Sequence, residues 1–160
     1  METIPQDIVD SIWDEALDTP PEETQEKVQA LFNSQPAIAA YLLYVEEEMM
    51  PPEERGVILM IGYCLLKAML PEGSDPRIVT QEDIEDAEKK NLEMMESLEG
   101  TELDWMNQGV GFIKNYRQGP LLGSVLEALM EGNEDTTDDT RDYIGMVWLS
   151  MKAVIDCLDR

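Results

Sequence analysis

The 160-residue chain carries 35 Asp and Glu against 11 Lys and Arg, no histidine, and a net charge of −24. This balance argues against direct binding to nucleic acid, which needs Lys and Arg to neutralise phosphates. The missing histidine removes Ser-His, Cys-His and Glu-x-x-His chemistry, yet with 43% apolar residues the chain can bury a core without disulfides or metal.

The N-terminal METIPQDIVDSIWDE has acids where a signal peptide needs basic residues. Thr3 followed by Gln6 reads as a capping box before a helix with Ile8, Val9, Ile12, Trp13 and Leu17 on its apolar side. Thr19 with Glu22, and Pro20 at the first helical position, predicts a second helix that buries Val28, Leu31 and Phe32. Ser34 is the expected cap of a third, with Ile38, Tyr41, Leu42, Val45 and Met49 on one face. Pro51-Pro52 ends that helix and turns the chain into GVILMIGYCLLKAML, residues 56–70. This run is apolar around nearly its whole circumference, so it predicts a helix buried on most sides. It is too short for the ~20 residues that span a bilayer.

PEGSDP is a loop, and Arg77 to Thr80 is the one stretch that invites brief strand pairing. Thr80 and Asp83 cap a fifth helix, with Val79 and Ile84 placed as a hydrophobic staple. Its expected stripe is Ile84, Ala87, Leu92, Met95 and Leu98. Gly100 closes it, and a sixth helix holds Trp105, Phe112, Ile113 and Tyr116, with Gly109 and Gly111 inside it. Gly119-Pro120 precedes a short helix with Leu121, Leu122, Val125, Leu126 and Leu129. The final helix, 137–158, contains YIGMVWLSMKAVIDCL. No repeat is found at a period of 20 to 50 residues. The expectation is one all-α domain, 1–160: an orthogonal or irregular bundle of about eight helices around two central apolar ones, 56–70 and 137–158. A soluble, cytoplasmic protein with no membrane contact is the default expectation. Cys64 and Cys157, both in the apolar helices, are expected to be buried, reduced and inert.

The acids are unevenly placed: residues 1–34 hold nine acids and one base, and 35–70 only five and two. Glu46-Glu47-Glu48, Asp156 and Asp159 stand at helix C-termini, where negative charge opposes the helix dipole. Around Pro51-Pro52, Glu46, Glu47, Glu48, Glu53 and Glu54 form the densest cluster of the more neutral half, a surface fit for a basic protein partner. Carboxylates could instead hold Mg²⁺ for a small hydrolase; Glu23-x-x-Glu26 and Asp139-x-x-Asp142 resemble the spacing of all-α pyrophosphatases. The loop EGNEDTTDDTRD places Glu131, Asn133, Asp135, Thr137, Asp139 and Asp142 at the ligand positions of an EF-hand. Thr136 stands where that loop needs glycine, and Asp138 where a hydrophobic residue is usual. Nothing in the sequence points to a cofactor. The readings carried forward are a non-catalytic acidic interaction module (an inhibitor, an immunity-type protein or a mimic of nucleic-acid charge), a Mg²⁺-dependent hydrolase, and a structural subunit of a homo-oligomer.

Overall fold

The computed structural model describes residues 2–50, 56–97, 113–130 and 138–159, with the backbone alone at 97 and 138–143. Seven helices lie within them: α1 (Gln6–Asp18), α2 (Pro21–Ser34), α3 (Pro36–Met49), α4 (Val57–Met69), α5 (Gln81–Ser97), α6 (Gly119–Met130) and α7 (Asp138–Leu158). A helical turn at 113–115 precedes α6, and no strand occurs among the described residues. The fold is all-α. The sixth helix as read from the sequence falls outside the described residues up to 112; of the described part, Ile113 and Tyr116 pack half-buried on the core.

The two apolar helices are central, as their composition predicts. In α4, Ile58, the whole run from Ile61 to Leu66, and Met69 are buried. In α7, Ile144, Val147, Trp148 and the run from Ser150 to Ile155 are buried. α4 and α7 touch each other, and one continuous hydrophobic cluster draws on both. A Cβ on Gly62 would lie 2.5 Å from Leu42 Cδ1, so α3 and α4 meet where a side chain is missing. Gly56, at φ 102°, begins α4 from a left-handed conformation that costs glycine little. Cys64 and Cys157 are both free and buried.

Three expected caps are displaced. α1 starts after Pro5, which is extended, and the Ile4 N–H before it is spent on Gln118. Thr19 closes α1, its hydroxyl donating to Glu15 O at 2.6 Å, and Ser34 closes α2 through Leu31 O at 2.5 Å. The cap positions fall one residue later, on Pro20 and Gln35, since Pro21 and Pro36 take the first helical position. A hydroxyl one residue too early turns back to the preceding carbonyls instead. Thr80 does cap α5: its Oγ1 accepts from Asp83 N at 3.2 Å, and Asp83 Oδ2 accepts from Thr80 N at 2.9 Å. Ile8, Leu17, Leu92 and Met95, read as apolar-face residues, are exposed. On α5 the core positions are Ile84, Ala87 and Asn91.

The chain repeats its own topology half a chain apart. α1, α3 and α4 pack with one another in the order α1–α4 and α3–α4, and α5, α6 and α7 do the same as α5–α7 and α6–α7. Contacts between the halves are reciprocal: α1 meets α6 while α5 meets α3, and α3 meets α7 while α6 meets α4. The stretch in α2's place lies mostly outside the described residues. Two fully buried glutamines tie the halves together. Gln35, just before α3, accepts from Val79 N at 2.9 Å and donates to Arg77 O at 3.2 Å. Gln118, just before α6, accepts from Ile4 N at 3.1 Å and donates to Glu2 O at 2.9 Å.

A glutamine amide offers one carbonyl acceptor and an NH₂ donor, so it can satisfy a short extended segment as a neighbouring strand would. Arg77 to Val79 is therefore paired, but with a side chain rather than a strand. The helices that follow also begin alike. In Ile4-Pro5-Gln6-Asp7 and Val79-Thr80-Gln81-Glu82, each helix-opening glutamine donates to the acid one turn on: Gln6 to Asp10 at 2.8 Å and Gln81 to Glu85 at 3.2 Å.

Candidate functional site

The acidic corner is divided by the structure. Glu46 is buried, and its carboxylate accepts the N–H of Gly56 at the start of α4. It stands at the end of one helix and caps the next, where a negative charge is favourable. Glu47 and Glu48 are exposed, and share the outer face of α3 with exposed Leu43 and Tyr44. Glu53 and Glu54 lie outside the described residues.

So do Glu131, Asn133, Asp135 and Thr137 of the EF-hand-like loop, and the side chains of Asp139 and Asp142 in α7. Among the described residues no group of three or more Cys, Asp or Glu could hold a metal ion. Glu23 and Glu26 point to solvent on α2.

The acids at the C-terminus of α7 are engaged as well. Asp156 accepts from Lys152 Nζ at 2.6 Å and from the Tyr116 hydroxyl. Asp159 accepts from Gln118 Nε2 at 3.1 Å and faces Arg117 at 3.7 Å. Lys152 is a buried lysine with acceptors on two sides, since Asn91 Oδ1 lies 2.8 Å away on α5, and the Tyr116 ring sits 5.6 Å from its Nζ. Burial first, and then the Asp156 carboxylate, raise the Tyr116 pKa above that of a free phenol. The group is a neutral phenol beside a compensated ion pair, not an acid–base couple tuned to neutral pH. Nothing in its residue types singled it out; Lys152 reads as an isolated charge in an apolar helix.

α4 carries a related lysine. Lys67 meets Glu15 of α1 at 3.0 Å and lies 5.9 Å from the Tyr63 ring. Burial is the largest influence and acts to lower the Lys67 pKa, but the hydrogen bonds and charges of Glu15 and Tyr63 together outweigh it and the net shift is upward; Glu15 is lowered by its bond to Lys67. Burial pushes the Cys64 thiol up to about 12, which leaves it a poor nucleophile.

One cleft opens at the seam of α1 and α6, with a volume of about 640 Å³. Gln6 and Asp10 line it from α1, Ser124 and Glu127 from α6, and Lys114 and Arg117 from the segment before α6. Gln6 Nε2 donates across the seam to Ser124 Oγ at 3.2 Å. Gly119 is required here, because a Cβ would collide with the Ile113 carbonyl oxygen.

Comparison with protein-family models, curated proteins and solved structures finds no match to this chain. Among the described residues no helix is long and apolar enough to cross a membrane.

Proposed function

We propose that the protein is a non-catalytic, acidic helical interaction module whose α3 face receives a basic protein segment. The observation that carries this reading is the composition of that face. Leu43 and Tyr44 are 45% and 56% exposed, and Glu47 and Glu48 follow them one helical turn on. A surface kept only for solubility has no use for a leucine and a tyrosine beside its acids. A partner with an apolar contact ringed by lysine or arginine does. α1 supports the same reading: Asp7, Asp10, Asp14 and Asp18 are exposed along one stripe with no base on that helix, and Leu17 is exposed at its edge.

The test is capture from a native lysate at low salt, with elution by rising sodium chloride, using the protein and the double variant Glu47→Lys, Glu48→Lys. The native chain should retain a basic protein that salt releases, and the variant should not. The variant should melt no lower than the native chain, since lysine near a helix C-terminus suits the dipole. A variant that folds and captures the same protein equally well would refute the α3 face. Glu46→Ala is the internal contrast: it removes a cap and should cost about 1 kcal/mol of stability.

A further inference from the structure

The two halves make equivalent seams, and that of α1 and α6 opens into the cleft. The seam of α3 and α5 is filled by Tyr41, whose hydroxyl donates to Glu88 and meets Ser150; burial pushes its pKa up to about 12. Counted from the pinning glutamines, Ala40, Tyr41 and Tyr44 of α3 fall where α6 has Gly123, Ser124 and Glu127. All three α6 residues line the cleft. The cleft is thus lined by glycine, serine and glutamate at the positions where α3 carries alanine and two tyrosines.

The walls of this space are electrically divided. Lys114 and Arg117 are two of only 11 bases in a chain of net charge −24, and both face the same cleft. Arg117 is held only loosely, 3.7 Å from Asp159. Asp10 and Glu127 line the cleft from the two helices, and Gln6 and Ser124 add an amide and a hydroxyl. A simple anion would be opposed by the field of the whole molecule, and a simple cation by the two bases.

We propose that the α1–α6 cleft is a binding site for a small zwitterion, an amino acid or short peptide. Its carboxylate meets Lys114 and Arg117, and its ammonium group meets Asp10 and Glu127. Charge-assisted hydrogen bonds at both ends would orient it, over a floor where Gln6 Nε2 already bonds Asp10 and Ser124. This inference goes beyond the interaction reading and uses a different face.

The experiment is calorimetric titration of the full chain with the dipeptide Ala-Ala, with N-acetyl-Ala-Ala and with Ala-Ala amide. Saturable binding of the free dipeptide is expected, and blocking either end should weaken it by about tenfold or more. Ser124→Tyr, which restores the bulk present at Tyr41, should abolish binding. Lys114→Glu, a change at an exposed side chain that leaves the seam intact, should weaken it by a similar factor and serves if the tyrosine variant does not fold. Absence of saturable binding by Ala-Ala, equal binding of the blocked forms, or unchanged binding by a folded variant would each overturn the proposal.

Discussion

The halves of this molecule agree in their framework and differ at their seams. Gln35 and Gln118 make the same pair of bonds to the same kind of segment, each reaching into the opposite half. The lysines late in α4 and α7 do not agree in setting. Lys67 meets an exposed glutamate, whereas Lys152 is enclosed by Asn91, Asp156 and Tyr116. The seam fillers differ most, tyrosine on one side and serine on the other. Contacts that satisfy buried backbone are therefore alike in the two halves, and side chains free of that duty differ. That separates what holds the fold from what is available for a role particular to one half.

The largest effects should come from the glutamines. Replacing Gln118 by Ala leaves the Ile4 N–H and the Glu2 carbonyl without their partner; the N–H is buried, and a buried unsatisfied group costs about 1–3 kcal/mol. Gln118→Ala and Gln35→Ala should each lower stability in urea unfolding by about 3 kcal/mol, because the two segments match in burial: Ile4 and Val79 are buried, and Glu2 and Arg77 are exposed. Gln→Met at either site preserves the volume, so its cost reports the lost bonds rather than a cavity. If both methionine variants lose less than about 1 kcal/mol, the reciprocal pins are not what joins the halves.

The lysines sharpen the comparison. Lys152→Met breaks a buried pair and leaves Asp156 with the Tyr116 hydroxyl and Asn91 with Leu149 O; with Asp156 at 28% side-chain exposure, a loss of about 2–3 kcal/mol is expected, below that of a fully enclosed pair. Adding Asp156→Leu should recover much of it, since an apolar pair has no desolvation to overcome. Lys67→Met should leave the urea midpoint almost unchanged, because its partner Glu15 is in solvent. Equal losses at the two lysines would mean that their differing burial has no energetic consequence.

Much of the architecture is legible in the residues themselves. An apolar run without a polar face has nowhere to lie but inside, which is why α4 and α7 are readable to within a residue or two. The Thr80–Asp83 box is readable because no proline disturbs it. The displaced caps are not, since local pattern alone does not say whether a hydroxyl next to proline opens one helix or closes another. Glu46 reads as an acid set against its own helix, because its benefit comes from α4 across the corner. The glutamine pins were invisible to periodicity, as a buried amide leaves no hydrophobic trace. Their signal is the likeness of Ile4-Pro5-Gln6-Asp7 to Val79-Thr80-Gln81-Glu82, half a chain apart and beyond the repeat lengths of solenoids. The cleft is a difference between equivalent seams, and it becomes readable only once the halves are aligned.

A small effect is also the most direct test of that alignment. If the halves are equivalent, the link from α4 to Arg77 should correspond to a link from Asp159 to Glu2. Gln118 Nε2 touches both Glu2 O, at 2.9 Å, and Asp159 Oδ1, at 3.1 Å, so these residues already lie side by side. The existing link is exposed from Pro71 to Ile78, and its local backbone bond is that from Ser74 N to Pro71 O, at 3.1 Å. A circular permutant can therefore begin at Ser74, run through α5 to α7, cross a short Gly-Ser linker from Asp159 to Glu2, and end at Gly73. It exchanges the order of the halves without breaking a helix or a pin. Chain entropy changes little when one short exposed loop replaces another. Its melting temperature should fall within a few degrees of the native chain, a difference on the order of 1 kcal/mol for a protein of this size. A permutant that is folded but melts far lower would show that the Pro71–Pro76 link itself holds the halves in place, and the equivalence would then be one of appearance only.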